Sequence, residues 1–288
     1  MQAVLDGILT TIVYITVSFL LFLVGKFIYQ IFHPRVKVSY ELVENDNLAF
    51  CFAYVGYYIG LILAIGSAVM GESQGSLITD LINIGIYGTL SIFLLNITLI
   101  ISDRVILTKF DVKKEILVDQ NVGTGVIEGA NAIATGLIIL GAIHGEGYGV
   151  GGPIFTALLY WLLGQVIMIL TTYVYNWITP YDIHHELEKN NIAVGVGYSG
   201  ALIAIANLIR HALMHDFQDW MTTLSDVGID VTIGLLFLPL ARFLTDKILL
   251  PGQNLTDEII NQENPNVGAS LVESFAYIGG SMLIMWSL

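Results

Sequence analysis

The sequence predicts an all-α polytopic membrane protein: eight transmembrane helices built as four tandem helical hairpins, in two four-helix modules. Three observations carry this. Only 12% of the 288 residues are charged, against about 25% in a soluble chain. Hydrophobic residues make up 55% and the mean hydropathy is +0.75, too apolar for a water-facing globule. Apolar stretches and a local motif then recur at a regular interval, which is the mark of a repeat.

A spanning helix needs about 20 mostly apolar residues to cross about 30 Å of hydrocarbon. Eight stretches qualify: 7–31, 48–70, 79–102, 121–143, 153–178, 191–213, 222–245 and 266–287. Runs such as Ile12 to Val24 and Leu90 to Ile101 lack the alternation of a barrel strand, so they read as helices. Met1 to Gly7, ahead of the first stretch, carries Asp6 and no Lys or Arg. With no small-residue cleavage motif after it, the first stretch reads as a retained anchor.

Orientation follows from the bases, because cytoplasmic loops retain Lys and Arg. Lys26, Arg35 and Lys37 flank the first loop, Arg104, Lys109, Lys113 and Lys114 the third, Lys189 lies in the fifth, and Arg242 and Lys247 flank the seventh. Only Arg210 falls on the other side. The odd loops are therefore expected in the cytoplasm and both termini outside, in the bacterial inner membrane. A net charge of −13 argues against nucleic acid or an anionic membrane surface as the main partner. The single cysteine, Cys51, excludes an intrachain disulfide and a cysteine-cluster metal site.

Each even-numbered helix starts on an asparagine: Asn47, Asn121, Asn191 and Asn266, spaced 74, 70 and 75 residues apart. Each follows a loop glutamate, namely Glu41, Glu115, Glu186 and Glu258. The asparagines are read as helix caps. The repeating unit is thus a hairpin of about 72 residues. Alternate hairpins are more alike: Asp103 to Ile116 aligns without a gap to Asp246 to Ile259, and seven residues past the asparagine stand Tyr54 and Tyr198 in one kind, Glu128 and Glu273 in the other. The expected organisation is a first module at 1–145, a glycine-rich external linker at 146–152, and a second module at 153–288. Hairpins entering the membrane in one sense predict a pseudo-axis along the membrane normal. Small residues at i,i+4 spacing, such as Gly56 and Gly60 or Gly125 and Gly129, place the even helices in the packed interior.

The motifs Glu115-x5-Asn121-Val122-Gly123, Ile178-Thr-Pro-Tyr-Asp-Ile-His-His-Glu186 and Glu128-Gly-Ala-Asn-Ala-Ile-Ala-Thr-Gly136 resemble a bacterial inner-membrane family, domain of unknown function 350, the YjfL-like proteins. The resemblance covers nearly the whole chain as two copies of the family module. It implies topology and repeat structure, and it transfers no catalytic residue.

Intramembrane acids are the sharpest chemical feature, because a charge at the bilayer centre costs about 2.5–3.5 kcal/mol on insertion scales. Glu128 and Glu273 sit seven residues into their helices, about 10 Å past the loop end. Equivalent repeat positions can bring them to face one another as a paired proton or cation site. The plainer alternative is a glutamate hydrogen-bonded to a neighbouring helix, or to Tyr54 or Tyr198. Asp226 and Asp230 share one face of the seventh helix, either as an outer vestibule or as acids favoured at a helix start, with Arg210 a candidate ion-pair partner. Asn131, Gln165 and Asn207 are interior amides able to bridge helices. His211 and His215 have the spacing of two metal ligands but lack the glutamate of a helical zinc protease motif, and an interfacial polar cluster is the preferred reading. His184 and His185 are read as loop histidines. No nucleophile, base and oxyanion donor assemble, so neither enzyme, cofactor nor metal is expected.

The leading expectation is a proton- or cation-linked transporter or channel, polyamines being among the cations considered. The alternative is a membrane scaffold recruiting cytoplasmic or peripheral proteins through its loops. The lipid bilayer is a partner in either case, and a homo-oligomer is compatible with both.

Overall fold

The computed structural model describes residues 2–71, 75–105, 111–144, 152–215, 219–250 and 252–288, with side chains described from residue 7 except those of 104 and 105. In chain order the helices are α1 (Gln2–Phe32), α2 (Leu48–Val69), α3 (Leu77–Val105), α4 (Val112–Leu117), α5 (Val122–His144), α6 (Pro153–Ile178), α7 (Ile183–Glu188), α8 (Ile192–Leu213), α9 (Trp220–Leu244), α10 (Leu255–Ile260) and α11 (Val267–Ser287). Two π-helical turns, Tyr40–Glu44 and Thr245–Leu249, accompany them. Among the described residues eight helices, all but α4, α7 and α10, are long and apolar enough to cross a membrane. The proposed linker at 146–152 lies outside the described residues except for Gly152. That glycine precedes Pro153 at φ +89° and caps α6, with proline at the first helical position, where its missing N–H leaves no bond unmade.

The short helices were not expected from the sequence, although a signal for them exists. An Asx residue, an apolar residue and then a glutamate recur as Asp111-Val112-x2-Glu115, Asp182-Ile183-x2-Glu186 and Asn254-Leu255-x2-Glu258. Each Asx oxygen accepts the N–H groups of the second and third helical residues, satisfying donors that a helix start leaves open. The apolar residues plug into the bundle, with Val112, Ile183 and Leu255 all buried. In the first hairpin Lys37 stands where the Asx should be, and the segment forms the π-helical turn instead.

Four-fold repetition is clearest at the cap asparagines. Each Asn Oδ1 accepts the N–H three residues on, at Phe50, Thr124, Val194 and Ala269. Each Nδ2 donates to the loop glutamate of its own hairpin, Glu41, Glu115, Glu186 or Glu258. In the first three hairpins Nδ2 also donates to a carbonyl of the next one: Asn47 to Ile116, Asn121 to Leu187 and Asn191 to Ile259. Asn266 makes no such bond to another described hairpin and is exposed.

The hairpins therefore stack as an open row. Helices α2, α5, α8 and α11 pack in that order as an inner layer, and α3, α6 and α9 each lie in the groove between two successive inner helices. Helix α1 flanks α2 and α3 at the start. The window that best spans the membrane is 89% buried in α8 but only 6% in α1. Glycines set the inner spacing. A Cβ on Gly125 would run into the backbone of Ala49, one on Gly136 into Gly60, one on Gly195 into Gly123 and one on Gly200 into Ser274. Where lipid supplies no hydrophobic drive between helices, such close approach provides the packing energy.

Bulk ends the row. Positions four, eight and fifteen after the asparagine carry Gly125, Gly129 and Gly136 in the second hairpin, all against the first. The first hairpin has Cys51, Val55 and Ile62 there, and the last two are 54% and 59% exposed. At the far end Phe275 takes the place held by Gly56 and Gly200, and it is 68% exposed. Small residues thus occur where two described hairpins meet, and large apolar ones on the outer faces of the first and fourth.

Candidate functional site

The two intramembrane glutamates do not form one paired site. Glu128 faces back toward α1 and α2, whereas Glu273 lies among α6, α8 and α9. Two different polar clusters result from one repeat position.

In the first module Glu128 borders a cavity of about 40 Å3 lined also by Tyr29, His33, Phe50, Ala53, Asp103, Lys113 and Leu117. At about 10–15 Å3 per water this holds roughly three or four waters. Oε2 of Glu128 is buried and has no hydrogen-bond partner among the described residues. The charges that act on it are those of Asp103 and Lys113. Tyr29 forms the wall, its ring stacked at 4.3 Å on His33 and tilted against Tyr54 and Tyr57 at 5.1 and 4.6 Å. The Nδ1 of His33 lies 3.1 Å from the Tyr29 carbonyl. As only the ring can donate, Nδ1 carries the proton in that contact. Burial holds the His33 imidazole below its ordinary pKa, with the Lys113 ammonium adding to the effect.

In the second module Glu273 is fully buried and receives a hydrogen bond from Nη1 of Arg242 in a salt bridge. Tyr277 Oη donates to the same oxygen at 2.9 Å. Arg242 also donates from Nη2 to Thr256 Oγ1 at 3.2 Å, and its guanidinium sits 5.6 Å from the centre of the Tyr181 ring, within cation–π range. Burial and the Glu273 carboxylate push the Tyr181 phenol up to about 12. Arg242 and Glu273 expose 12% and 0% of their side chains. A desolvated pair of this kind holds together because removing either partner strands the other.

The tyrosines expected to serve the glutamates are otherwise engaged. Tyr58 Oη donates to Tyr54 Oη at 2.7 Å, and Tyr198 Oη pairs with Thr172 Oγ1 at 2.7 Å. The residues that do meet the acids are Tyr29, Asp103 and Lys113 in the first module and Arg242 and Tyr277 in the second. A signal for them lay in the alignment that pairs Asp103 with Asp246. It sets Arg242 over Leu99 and Lys113 over Thr256, so the base beside the acid comes from a membrane helix in one module and from a loop helix in the other.

On the opposite side of the row Arg210, a candidate partner of Asp226 or Asp230, pairs with neither among the described residues. Arg210 donates to Asn207 Oδ1 from Nε and Nη2 at 3.3 and 3.1 Å. It lies near the sulfurs of Met214 and Met285. The Asp230 carboxylate is taken by His211 Nδ1 at 3.2 Å, linking α8 to α9, because residue 211 and not 210 turns toward α9. Asp226 is half-buried one turn away and makes no hydrogen bond to a described residue. His211 and His215 meet edge to face at 5.0 Å. Among the described residues no group of three His, Cys, Asp or Glu is placed to hold a metal ion, and Asp216 lies outside those residues. Of the interior amides, Asn207 Nδ2 bridges to Ser281 on α11 at 3.3 Å. Asn131 Nδ2 and Gln165 Nε2 are buried without a partner among the described residues.

Known proteins resemble this chain over one or both halves. A UPF0719 transmembrane protein of Aquifex aeolicus (strain VF5) is 23% identical over 267 residues, covering 91% of this chain and 94% of the relative. The UPF0719 transmembrane protein YshE of Bacillus subtilis (strain 168) is 24% identical over 125 residues, covering 43% of this chain but 87% of the relative, which is therefore close to a single module in length. No solved structure matches the chain. The profile of one family matches twice in tandem, over residues 3–143 and 149–288, and the chain belongs to that family, Domain of Unknown Function (DUF350).

Proposed function

We propose that this chain is a proton- or small-cation-linked protein of the bacterial inner membrane in which Glu128, and not a Glu128–Glu273 pair, is the working acid. One observation carries the reading. Glu128 borders a water-sized cavity and has no ion-pair partner among the described residues, while Glu273, whose Oε2 is likewise buried without a hydrogen bond, is neutralised through Oε1 by Arg242. An acid kept from a fixed partner and next to water is able to exchange a proton or bind a cation; one fixed to a guanidinium is not. The 40 Å3 of the cavity suits protons or a single monovalent ion and is too small for a polyamine chain. Its mouth lies on the side of the odd loops, which carry ten of the eleven bases, and the reading puts that side in the cytoplasm. Asp230 and His211 would serve the outer approach. No catalysis is assigned to the chain.

The test is flux into proteoliposomes under an imposed proton or sodium gradient. Glu128→Gln is expected to abolish it and Glu273→Gln, in protein that remains folded, to retain it. Equal flux in the parent and Glu128→Gln would sink the assignment. Transport absent from the parent, with partner proteins captured through the exposed faces of α4, α7 and α10, would favour the scaffold reading.

A further inference from the structure

We infer that the mouth of the Glu128 cavity is a binding site for a phosphate-class anion, held by Arg35 and Lys113. A second cavity of about 290 Å3 opens there, lined by His33, Pro34, Arg35, Val36, Asp111 and Lys113 together with Leu117. It shares His33, Val36, Lys113 and Leu117 with the cavity of Glu128, so the two adjoin. With about 10–15 Å3 needed per water, the outer chamber accepts a polyatomic ion and its hydration shell. Pro34, Val36 and Leu117 give it an apolar floor.

Its charges are available. Neither Arg35 nor Lys113 is paired with a carboxylate among the described residues. The one acid in the lining, Asp111, has its Oδ1 committed to the N–H groups of Lys113 and Lys114 at 3.0 and 3.2 Å. Arg35 follows the end of α1 at Phe32 and Lys113 lies in the loop helix that precedes α5, both beside the ends of helices long and apolar enough to cross a membrane. A guanidinium and an ammonium on facing elements are the donors that phosphate recognition uses.

The second module shows that the fold does not require these charges. At equivalent positions Thr179 replaces His33, Tyr181 replaces Arg35, Asn254 replaces Asp111 and Thr256 replaces Lys113. The loop there is still capped in the same way and forms the same short helix. A basic mouth is therefore a property added to the first module alone. The shared chemistry, a phosphoryl anion, is presented both by an anionic lipid headgroup and by free phosphate.

The experiment is binding to the full chain in nanodiscs at constant ionic strength. In one arm inorganic phosphate is titrated into discs of zwitterionic lipid; in the other, retention of phosphatidylglycerol is measured by mass spectrometry. Binding in the first arm identifies a soluble anion, in the second a headgroup. In whichever arm responds, Lys113→Gln and Arg35→Gln are expected to weaken binding at least about tenfold, the loss of one charged hydrogen bond, while Lys113→Arg retains it. Lys247→Gln, an exposed base of the second module, is expected to have no effect. Both target residues are exposed, so the variants should fold. Binding in neither arm, or binding unchanged in both Gln variants, would overturn the site. Glu128→Gln is expected to keep anion binding while losing flux, so the fate of the anion site and that of the working acid are read separately.

Discussion

The two modules place a glutamate at the same depth, seven residues past a capping asparagine, and treat it in opposite ways. In the second module Arg242 reaches it from α9 and closes the site: acid and base are desolvated together, with Tyr277 and Thr256 taking further bonds. In the first, Leu99 stands where the arginine would be and is 3% exposed. The base comes instead from the loop as Lys113, on the rim of a water-sized cavity. Duplication supplied one scaffold twice. The cation nearest the acid comes from a membrane helix in one copy and from a loop helix in the other.

The largest effect should come from breaking the closed site. Arg242→Leu leaves Glu273 buried and unpaired, at a cost of about 3–5 kcal/mol, read as a lower unfolding midpoint in detergent. Glu128→Gln, by contrast, should change stability by no more than about 1 kcal/mol, because its carboxylate has no fixed partner to lose. Similar losses in both would remove the distinction between the modules. Replacing Arg242 and Glu273 together by leucine should recover most of the stability, as it does where a buried pair gives way to apolar packing.

A second contrast lies at the caps. Asn121→Ala removes a cap and a buried bond to the next hairpin, for a loss of about 2 kcal/mol. Asn266→Ala in the fourth hairpin removes a cap and an exposed bond to Glu258 but no bond to another hairpin, and should cost about 1 kcal/mol. If the two unfold alike, the link through the Leu187 carbonyl carries no energy. Grafting the closed site into the open one is subtler. Leu99→Arg should be tolerated within about 1–3 kcal/mol of overpacking and should lower any Glu128-dependent flux; undiminished flux would show that a cation at that position does not reach Glu128.

The smallest expected effect is on pH dependence. His33 is held below its ordinary pKa by burial, so the native state keeps it neutral while the unfolded chain takes up a proton. Stability should be fully present above about pH 6.5 and fall as the pH drops below that value. Thr179, the counterpart in the second module, contributes nothing of the kind. His33→Thr should therefore flatten the melting profile between about pH 6.5 and 5, and an unchanged slope would assign the dependence to another group.

Much of this architecture is readable from local pattern. Apolar length predicts eight spans, and the Asn and Glu spacing predicts the four hairpins, because both are set within about one helical turn or one bilayer thickness. The exclusion of bulk from inner faces is readable too, in Gly125, Gly129 and Gly136 against Cys51, Val55 and Ile62. The short helices were missed although their Asx caps repeat, since six residues with two apolar positions form a helix only when the bundle buries them. The arrangement as an open row also escaped the sequence: equal repeats specify how one hairpin meets the next and say nothing about whether the last meets the first.

By itself the sequence determined composition, depth and register: how many helices cross, where each begins, and that Glu128 and Glu273 lie at one level. Tertiary structure decided which charge each glutamate meets. Depth follows from counting residues along a helix, but a partner depends on how a different helix is rotated about its own axis. That rotation is settled by packing among glycines and side chains far apart in the chain. Arg242 and Lys113 thus look alike as flanking bases in the sequence, and only the fold makes one a buried counter-ion and the other the rim of a cavity.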